Sequence, residues 1–372
     1  MTILLAPDKF KGSLSAKGVC DGLAKGIKAF SAGSKILKKP MADGGDGSLA
    51  VLGYYLELET ITLEVQAPLG RSISASYKKQ DDKAYIELAA ASGLVLLKPE
   101  ERNCLLTSTF GTGQLIKDAI QNGAKTIYLF IGGSATNDGG VGIAQALGYR
   151  FYDENRQQLA PIGENLIRIN RIDSQDVFFD SNQVNIKVIS DVNNPFYGKN
   201  GAAHVYAMQK GASKEDIELL DEGLKSLAHQ LISHGFQDMS TVAGSGAAGG
   251  VGGGAMSFLG AELMSGIQFF LELTDLESAI QACDVVVTGE GKLDQQSLQG
   301  KVISGVYEQA KYHQKPIIIV CGDADRAVAA TLDIQQSYTV LEESDSLADA
   351  MEQTATKLYE IGLKIGDLLK NK

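Results

Sequence analysis

Cysteine is scarce and tryptophan is absent in this chain of 372 residues. The four cysteines lie far apart and form no C-x-x-C pair: Cys20, Cys104, Cys283 and Cys321. This spacing predicts neither a zinc knuckle nor a disulfide framework, so we expect reduced, buried thiols. The four histidines also show no metal-ligand spacing.

Long apolar runs and clusters of basic residues are missing as well. No apolar run is long enough for a membrane-spanning helix, and Pro7 follows the short apolar start too soon for a signal-peptide core. The formal net charge is −11 and the basic residues are scattered, which argues against nucleic acid or an anionic membrane as a partner. We therefore expect a cytoplasmic protein with small-molecule partners, and the sequence leaves monomer or homodimer open.

Three signatures of well-known phosphate-transferring enzymes are absent. The chain has no Walker A match, no H-R-D loop and no D-F-G, which excludes P-loop kinases and protein kinases. Residues 244–249 do read G-x-G-x-x-G, but 238–243 make a poor strand and the glycines continue to Gly254, so a nicotinamide site is weakly supported. Helix packing by glycine is the alternative to an anion-facing helix N-terminus, which we favour.

Glycine is abundant, and five short runs place it beside Asp, Lys, Ser or Asn. The runs are 8–13, 43–48, 132–140, 244–250 and 289–294. Glycine lacks a Cβ, so peptide N–H groups can approach a phosphate, while lysine or a metal-binding carboxylate balances its charge. Together the runs predict phosphoryl transfer to a small acceptor.

The length predicts two domains. Near both ends of the chain, the sequence pattern predicts alternating strands and helices, as in an α/β fold. Buried strands followed by glycine-containing loops are predicted at 2–6 and 283–288. Alternating segments between them are typical of half-buried antiparallel strands: 61–65, 72–77 and 84–88. We predict one discontinuous α/β domain from 1–65 and 281–372, an inserted mixed α/β domain from 66–280 with a mixed sheet, and an active site in the cleft between them.

Lys9 and Lys11 lie at the carboxyl end of the first predicted strand, where open α/β sheets bind ligands. A helix N-terminus at that point also favours an anion. A solvated turn explains the two lysines equally well.

Six acidic residues lie in loops after strands or beside glycines: Asp43, Asp46, Asp138, Asp191, Glu290 and Asp294. Such loops are where one or two carboxylates and substrate phosphates hold Mg²⁺. Asp191 ends a buried strand and is placed to accept a proton from an attacking hydroxyl. Its alternative role is to cap a turn, in which case the base moves to Asp43 or Asp294.

Taken in order, these runs resemble the type I family of bacterial glycerate kinases. Residues 8–15 read Asp-Lys-Phe-Lys-Gly-Ser-Leu-Ser and match the family motif without a change. Further family-like segments are 40–45, 67–71, 91–94, 107–113, 132–140, 209–211 and 288–294. The resemblance implies a Rossmann-like three-layer domain and ATP-dependent phosphorylation of D-glycerate at the 2-hydroxyl. A 3-phosphoglycerate-forming kinase and a nucleotide or anion sensor without turnover remain as alternatives.

Four departures from the family pattern lie near the expected chemistry. Asp46 stands where the family usually has Glu, Asn193 where it often has Asp, and Lys292 where it often has Arg. The segment Tyr-Ala-Met at 206–208 replaces the more typical Phe-Gly-Pro. The first three keep size or charge approximately, so we expect them to adjust geometry. Asn193 weakens that position as a metal ligand.

We assign roles on these grounds, with ATP and Mg²⁺ as cofactors. The catalytic residues are Asp191, Lys9 and Lys11. The ATP and phosphate ligands are Ser13, Gly133, Ser134, Asn137, Gly246, Gly249, Gly250 and Lys292. The glycerate ligands are Asp8, Asp43, Arg71 and Ser92, with Arg71 as the best arginine for a carboxylate. The metal ligands are Glu290, Asp294 and Asp138.

Overall fold

The computed structural model describes residues 1–45, 47–180, 182–298 and 300–370, so Asp46 lies outside the described residues. The strands are β1 (Thr2–Leu5), β2 (Lys35–Lys38), β3 (Glu59–Gln66), β4 (Ser72–Gln80), β5 (Lys83–Glu87), β6 (Thr126–Phe130), β7 (Arg150–Tyr152), β8 (Arg171–Asp173), β9 (Asn185–Ile189), β10 (Glu262–Met264), β11 (Val285–Thr288), β12 (Lys292–Leu293), β13 (Ile317–Cys321), β14 (Asp323–Ala324) and β15 (Gln336–Thr339).

The α-helices are α1 (Ala16–Phe30), α2 (Ser48–Tyr55), α3 (Ala89–Ser92), α4 (Phe110–Gln121), α5 (Val141–Ala146), α6 (Ala202–Tyr206), α7 (Lys214–Ser233), α8 (Ala247–Leu259), α9 (Gly266–Leu273), α10 (Leu276–Gln281), α11 (Val302–Tyr312), α12 (Arg326–Ala329), α13 (Leu347–Glu352) and α14 (Thr354–Lys370). Short 3₁₀ helices cover Leu94–Leu96, Pro99–Glu101, Gly163–Arg168, Met208–Lys210, Gln295–Leu298 and Leu341–Glu343.

The chain divides into two compact units. Unit 1 contains Met1–Asp43, Ala50–Tyr55 and Ser265–Lys372, and unit 2 contains Gly44–Leu49 and Leu56–Met264. The predicted α/β class with parallel strands and a mixed sheet is confirmed. Within the described ranges, no helix combines the length and apolar character that crossing a membrane requires.

Unit 1 is built on a five-stranded parallel sheet in the order β15-β13-β11-β1-β2. Its central strands are continuous apolar runs, and every residue of β11 and β13 is buried. This is the pattern of strands covered on both faces. Helices α1 and α14 pack against each other so closely that a Cβ on Gly26 would lie 2.1 Å from the carbonyl oxygen of Tyr359.

Unit 2 is built on a six-stranded mixed sheet in the order β10-β9-β6-β5-β4-β3. The pairs β3–β4 and β4–β5 are antiparallel, and the pairs from β5 through β6 and β9 to β10 are parallel. Strand β3 explains the alternation of polar and apolar residues seen in its sequence, since exposed and less exposed residues alternate along most of the strand.

The parallel strands of each sheet determine where the loops emerge. In unit 1, the loops after β1, β2, β11 and β13 leave the same edge, because strands in parallel register end together. In unit 2, β6 and β9 pair from Thr126↔Asn185 to Phe130↔Ile189, so the loops that follow them also leave one edge. The runs 8–13, 43–48, 132–140 and 289–294 start at these two edges, whereas the run 244–250 follows helix α7 (Lys214–Ser233).

Candidate active site

Asp8 follows β1 and is buried in unit 1. Its backbone N–H donates to the carbonyl of Gly289 at 2.8 Å, which joins the loop after β1 to the loop after β11. Its carboxylate accepts a hydrogen bond from the backbone N–H of Lys9 at 2.6 Å. The pKa of Asp8 is raised to about 7, mainly by burial and also by Asp43 and Glu290, against the opposing charge and backbone N–H of Lys9. The site therefore holds a carboxyl group that binds a proton unusually tightly.

Glu290 follows β11 and is equally buried. Its carboxylate accepts a short hydrogen bond from the hydroxyl of Ser297. The pKa of Glu290 is raised to about 7, mainly by burial and also by Asp43 and Asp294, while Ser297 and Lys301 oppose the shift. Asp43 thus acts electrostatically on both Asp8 and Glu290, and a bound cation would relieve the repulsion within this acidic set.

The donor chemistry fits Mg²⁺ in part. No group of three or more His, Cys, Asp or Glu side chains in the described part of the chain is arranged to hold a metal by itself. Mg²⁺ differs from a caged structural metal, because it keeps several waters and takes one or two carboxylates together with substrate phosphates. Glu290 and Asp294 could supply those carboxylates.

The predicted phosphate-binding residues of unit 1 lie on the same loops. Lys9 is half-buried, whereas Lys11 and Lys292 are exposed. A Cβ on Gly291 would lie 3.2 Å from the backbone nitrogen of Lys11, so the loops after β1 and β11 are in contact. The hydroxyl of Ser13 accepts a hydrogen bond from the Thr354 hydroxyl at 3.1 Å. This bond ties the end of the loop after β1 to the start of α14.

In unit 2, Asp138 has a different environment. It is completely buried, and its carboxylate accepts four hydrogen bonds. The backbone N–H of Thr109 donates at 2.7 Å and its hydroxyl at 2.8 Å. The backbone N–H groups of Gly140 and Gly142 donate at 3.1 and 3.3 Å. Burial raises the pKa of Asp138, while these donors lower it. With its oxygens engaged in this way, Asp138 organises the loop, and we leave it out of the proposed metal site.

The predicted glycine loop at 244–250 packs directly on residues 132–140. The N–H of Gly139 donates to the carbonyl of Gly249 at 3.0 Å. Gly249 has φ +71°, and a Cβ there would lie 2.1 Å from the carbonyl oxygen of Thr136. Helix α8 begins at Ala247 but is left-handed at Ala248, Gly249 and Gly250. Close packing therefore explains glycine at these positions without any ligand, which supports the alternative interpretation of the run.

Several buried polar atoms of these two loops find no hydrogen-bond partner in the part of the chain that the structure describes. Within the described residues, no donor or acceptor reaches the buried atoms Asn137 Nδ2, Asn137 Oδ1, Thr136 Oγ1 and Ser245 Oγ. Asn137 has no exposed surface at all. Because an unpaired buried polar group destabilises a fold by about 1–3 kcal/mol, these atoms indicate a place for a ligand group or an ordered water.

Sequence analysis missed Lys210, which ends the 3₁₀ helix Met208–Lys210. Its ammonium is buried and donates to the hydroxyl of Ser134 and the carbonyl of Thr136, both at 2.7 Å. Burial lowers the pKa of Lys210 to about 8, and Cys104 and Asp138 oppose this shift. The family-like segment 209–211 was the available signal, but a lysine beside glycine reads as a surface residue.

Arg71, Ser92 and Asp191, the remaining predicted residues, also lie in unit 2. Arg71 is exposed and forms a two-pronged ion pair with Glu101 at 2.7 and 3.3 Å. Ser92 is buried, and its hydroxyl lies 2.8 Å from the hydroxyl of Thr112. Asp191 is half-buried and follows β9, beside the strand that leads into residues 131–140. Sequence position alone could not reveal the partners of Arg71 and Ser92.

Comparison with known proteins gives a consistent picture. A glycerate kinase from Halalkalibacterium halodurans is 39% identical over 368 residues, covering 98% of this chain and 97% of that protein. A glycerate 2-kinase from Escherichia coli strain K12 is 40% identical over 354 residues, covering 94% and 93%. A crystal structure from Salmonella typhimurium LT2, described as a candidate glycerate kinase 2, superposes with a TM-score of 0.83 at 37% identity and covers 100% of this chain and 98% of its own.

The family comparison extends over almost the whole sequence. The model of the glycerate kinase family matches residues 3–370. It includes the loops that carry Asp8, Asn137 and Glu290. By this match and by the relatives' identities, the chain belongs to the glycerate kinase family.

Proposed function

We propose that this protein is a glycerate kinase that converts D-glycerate and ATP into 2-phosphoglycerate and ADP. The family match and the relatives named glycerate kinase and glycerate 2-kinase support the reaction. In the structure, the proposal depends mainly on the buried pair Asp8 and Glu290. Both have raised pKa values, both are influenced by Asp43, and both lie on loops at the carboxyl edge of a parallel sheet beside Lys9.

The phosphate groups of ATP are held by lysine and by glycine-containing loops. Lys9 and Lys11 contribute positive charge, and Ser13 and Lys292 lie on the same pair of loops. Glu290 and Asp294 hold Mg²⁺, which supplies charge neutralisation at the phosphate oxygens when bound. In unit 2, Ser134 and Asn137 bind phosphate oxygens, which would accept a hydrogen bond from the buried Asn137 Nδ2.

Asp191 is proposed as the residue that orients the acceptor. The 2-hydroxyl oxygen of glycerate forms a bond to the γ-phosphorus, and the bond from that phosphorus to the ADP oxygen breaks. The hydroxyl proton passes to the Asp191 carboxylate. Asp191 is half-buried at the end of a strand, which allows contact with a small ligand.

Glycerate is a small anion with two hydroxyls, and Asp8, Asp43, Arg71 and Ser92 are its proposed ligands. Arg71 would have to exchange the carboxylate of Glu101 for that of the substrate, since both guanidinium nitrogens of the present pair are used. This exchange is feasible because Arg71 is exposed and Glu101 is only partly buried. A cytoplasmic location and partners limited to small molecules complete the proposal.

ADP release with and without D-glycerate tests the activity. We expect turnover that depends on glycerate and Mg²⁺, and ATP binding without acceptor-dependent turnover would favour a sensor. Phosphorus NMR of the product then distinguishes the two hydroxyls. A 3-phosphoglycerate signal would preserve the kinase assignment and contradict the proposed acceptor atom.

A further inference from the structure

Lys210 is a buried ammonium group without a carboxylate partner among the described residues. Its two hydrogen bonds go to neutral acceptors, the Ser134 hydroxyl and the Thr136 carbonyl. Burying a charged group away from water is energetically unfavourable, so such a group usually has a partner of opposite charge or a functional role. Asp138 contributes a favourable electrostatic interaction, but its carboxylate is occupied by Thr109, Gly140 and Gly142.

The segment 134–138 is fixed from both sides. Lys210 holds Ser134 and Thr136 on one side, and the four bonds to Asp138 hold the other. Between them, the amide of Asn137 is left with both polar atoms buried and unpartnered within the described structure. If this segment could relax freely, the Asn137 amide would turn towards a hydrogen-bond partner in the protein. Because the segment is held on both sides, the amide stays available to bind a ligand.

Lys210 itself is held in place by the backbone that carries it. Gly211 has φ +93°, and a Cβ there would lie 2.0 Å from the carbonyl oxygen of Arg102. The N–H of Lys210 donates to the carbonyl of Ala207 at 2.9 Å, and the N–H of Gly211 to that of Met208 at 3.1 Å. The ammonium therefore has a defined position rather than a flexible one.

We infer that Lys210 is a positioning residue for nucleotide binding, which holds Ser134 and Thr136 so that the Asn137 amide meets an ATP phosphate group. The inference rests on the proposed function of the 132–140 loop. Lys210 acts through the loop and not by direct contact, because its ammonium is enclosed by Ser134 and Thr136. Its positive charge also favours an anion at Asn137 over a neutral ligand.

The experiment compares Lys210→Met and Lys210→Gln with the wild-type protein. Isothermal titration calorimetry measures the Kd of a non-hydrolysable ATP analogue with Mg²⁺, and steady-state kinetics measure KM for ATP and for D-glycerate separately. We expect Lys210→Met to weaken nucleotide binding by at least about tenfold and to leave KM for glycerate within about threefold. Lys210→Gln retains two N–H donors without the charge, so its nucleotide affinity should lie between those of the wild type and Lys210→Met.

Ile172→Ala is the matched control for lost stability. Ile172 is a buried residue of unit 2 in the small β7–β8 sheet, and its truncation should lower the melting temperature without changing Kd for the nucleotide. A wild-type Kd in either Lys210 variant, measured on folded protein, would overturn the inference, as would an equal loss in Ile172→Ala. If the Met variant does not fold, the Gln variant decides.

The calorimetric result is independent of turnover. A wild-type protein that binds the analogue but does not phosphorylate glycerate would contradict the proposed function, while the Lys210 variants would still test the positioning role. A wild-type protein that does not bind the analogue would overturn the inference itself.

Discussion

The backbone N–H and the side-chain hydroxyl of Thr109 both donate to one oxygen, Oδ2, of Asp138, at 2.7 and 2.8 Å. The same hydroxyl oxygen accepts the N–H of Ile143 at 3.0 Å. One carboxylate therefore joins the start of α4 to the start of α5, and the two glycine-containing segments at 107–113 and 132–140 form one rigid element.

Asp138→Asn should destabilise unit 2 severely. An amide keeps the shape but removes the charge and places an NH₂ donor against N–H and O–H donors, so we expect a loss on the order of 2–4 kcal/mol in the free energy of unfolding. Denaturant unfolding measures this loss. Asp176→Asn is the control, because the carboxylate of Asp176 forms an exposed ion pair with Arg150, and its loss should change stability by less than about 1 kcal/mol. If Asp138→Asn instead unfolded at the wild-type midpoint but its activity depended differently on the Mg²⁺ concentration, Asp138 would again be assigned as a metal ligand.

Asp191→Asn should lower kcat by about 10²–10⁴-fold and leave ATP binding nearly unchanged. The substitution preserves shape while removing the proton acceptor. Measuring kcat together with the melting temperature separates this role from that of a turn cap, which would change stability alone. Normal turnover by a well-folded variant would transfer the base role to Asp43 or Asp294.

Lys9→Ala should raise KM for ATP and lower kcat, since the attraction of a phosphate clamp acts in the ground state and in the transition state. Lys11→Ala provides a matched comparison on the same loop. Lys9 is half-buried next to Asp8 whereas Lys11 is exposed, so the Lys11 variant should show the smaller effect. Steady-state kinetics of both variants check the order, and a larger effect from Lys11 would reverse the assignment.

Asp8 should make the protein less stable as pH rises. Its pKa in the folded state is raised from 3.8 to about 7, so the unfolded state releases this proton first. Its contribution to the free energy of unfolding therefore falls between about pH 4 and pH 7 and is constant above that range. Asp8→Asn removes the contribution, and we expect it to be more stable than the wild type at pH 8 by roughly 2–4 kcal/mol, with little difference near pH 4.

Denaturant unfolding at several pH values tests this prediction. Glu290 has a raised pKa as well, so a part of the slope should persist in Asp8→Asn and disappear in the double variant with Glu290→Gln. Identical pH slopes in the wild type and Asp8→Asn would show that Asp8 is ionised in the folded protein throughout the range.

The sequence predicts the parts of the fold that depend on local pattern. The apolar run at 283–288 indicated the buried strand β11, and alternation indicated the antiparallel β3–β5 region. The residues of the candidate site were predictable where an acid or lysine directly follows a strand, as with Asp8 and Glu290. These signals are local because strand ends determine where such side chains emerge.

What the sequence could not predict depends on tertiary partners. Lys210 donates to Ser134 and Thr136, more than 70 residues away in sequence, and Arg71 meets Glu101 across a separation of 30 residues. The left-handed interior of α8 is similar, since Ala248 adopts φ +56°, which a residue other than glycine rarely does. Each depends on a contact that no sequence window contains.

The pairing of β1 with β11 has a consequence for synthesis. Leu5 pairs with Val287, so β1 is synthesised long before β11, although its other neighbour, β2, follows it closely in the sequence. Residues Leu56–Met264 of unit 2 are contiguous and can fold while unit 1 is still incomplete. Nascent chains arrested before β11 should therefore contain a protease-resistant unit 2 and a first helix, α1, whose apolar face is open to chaperones.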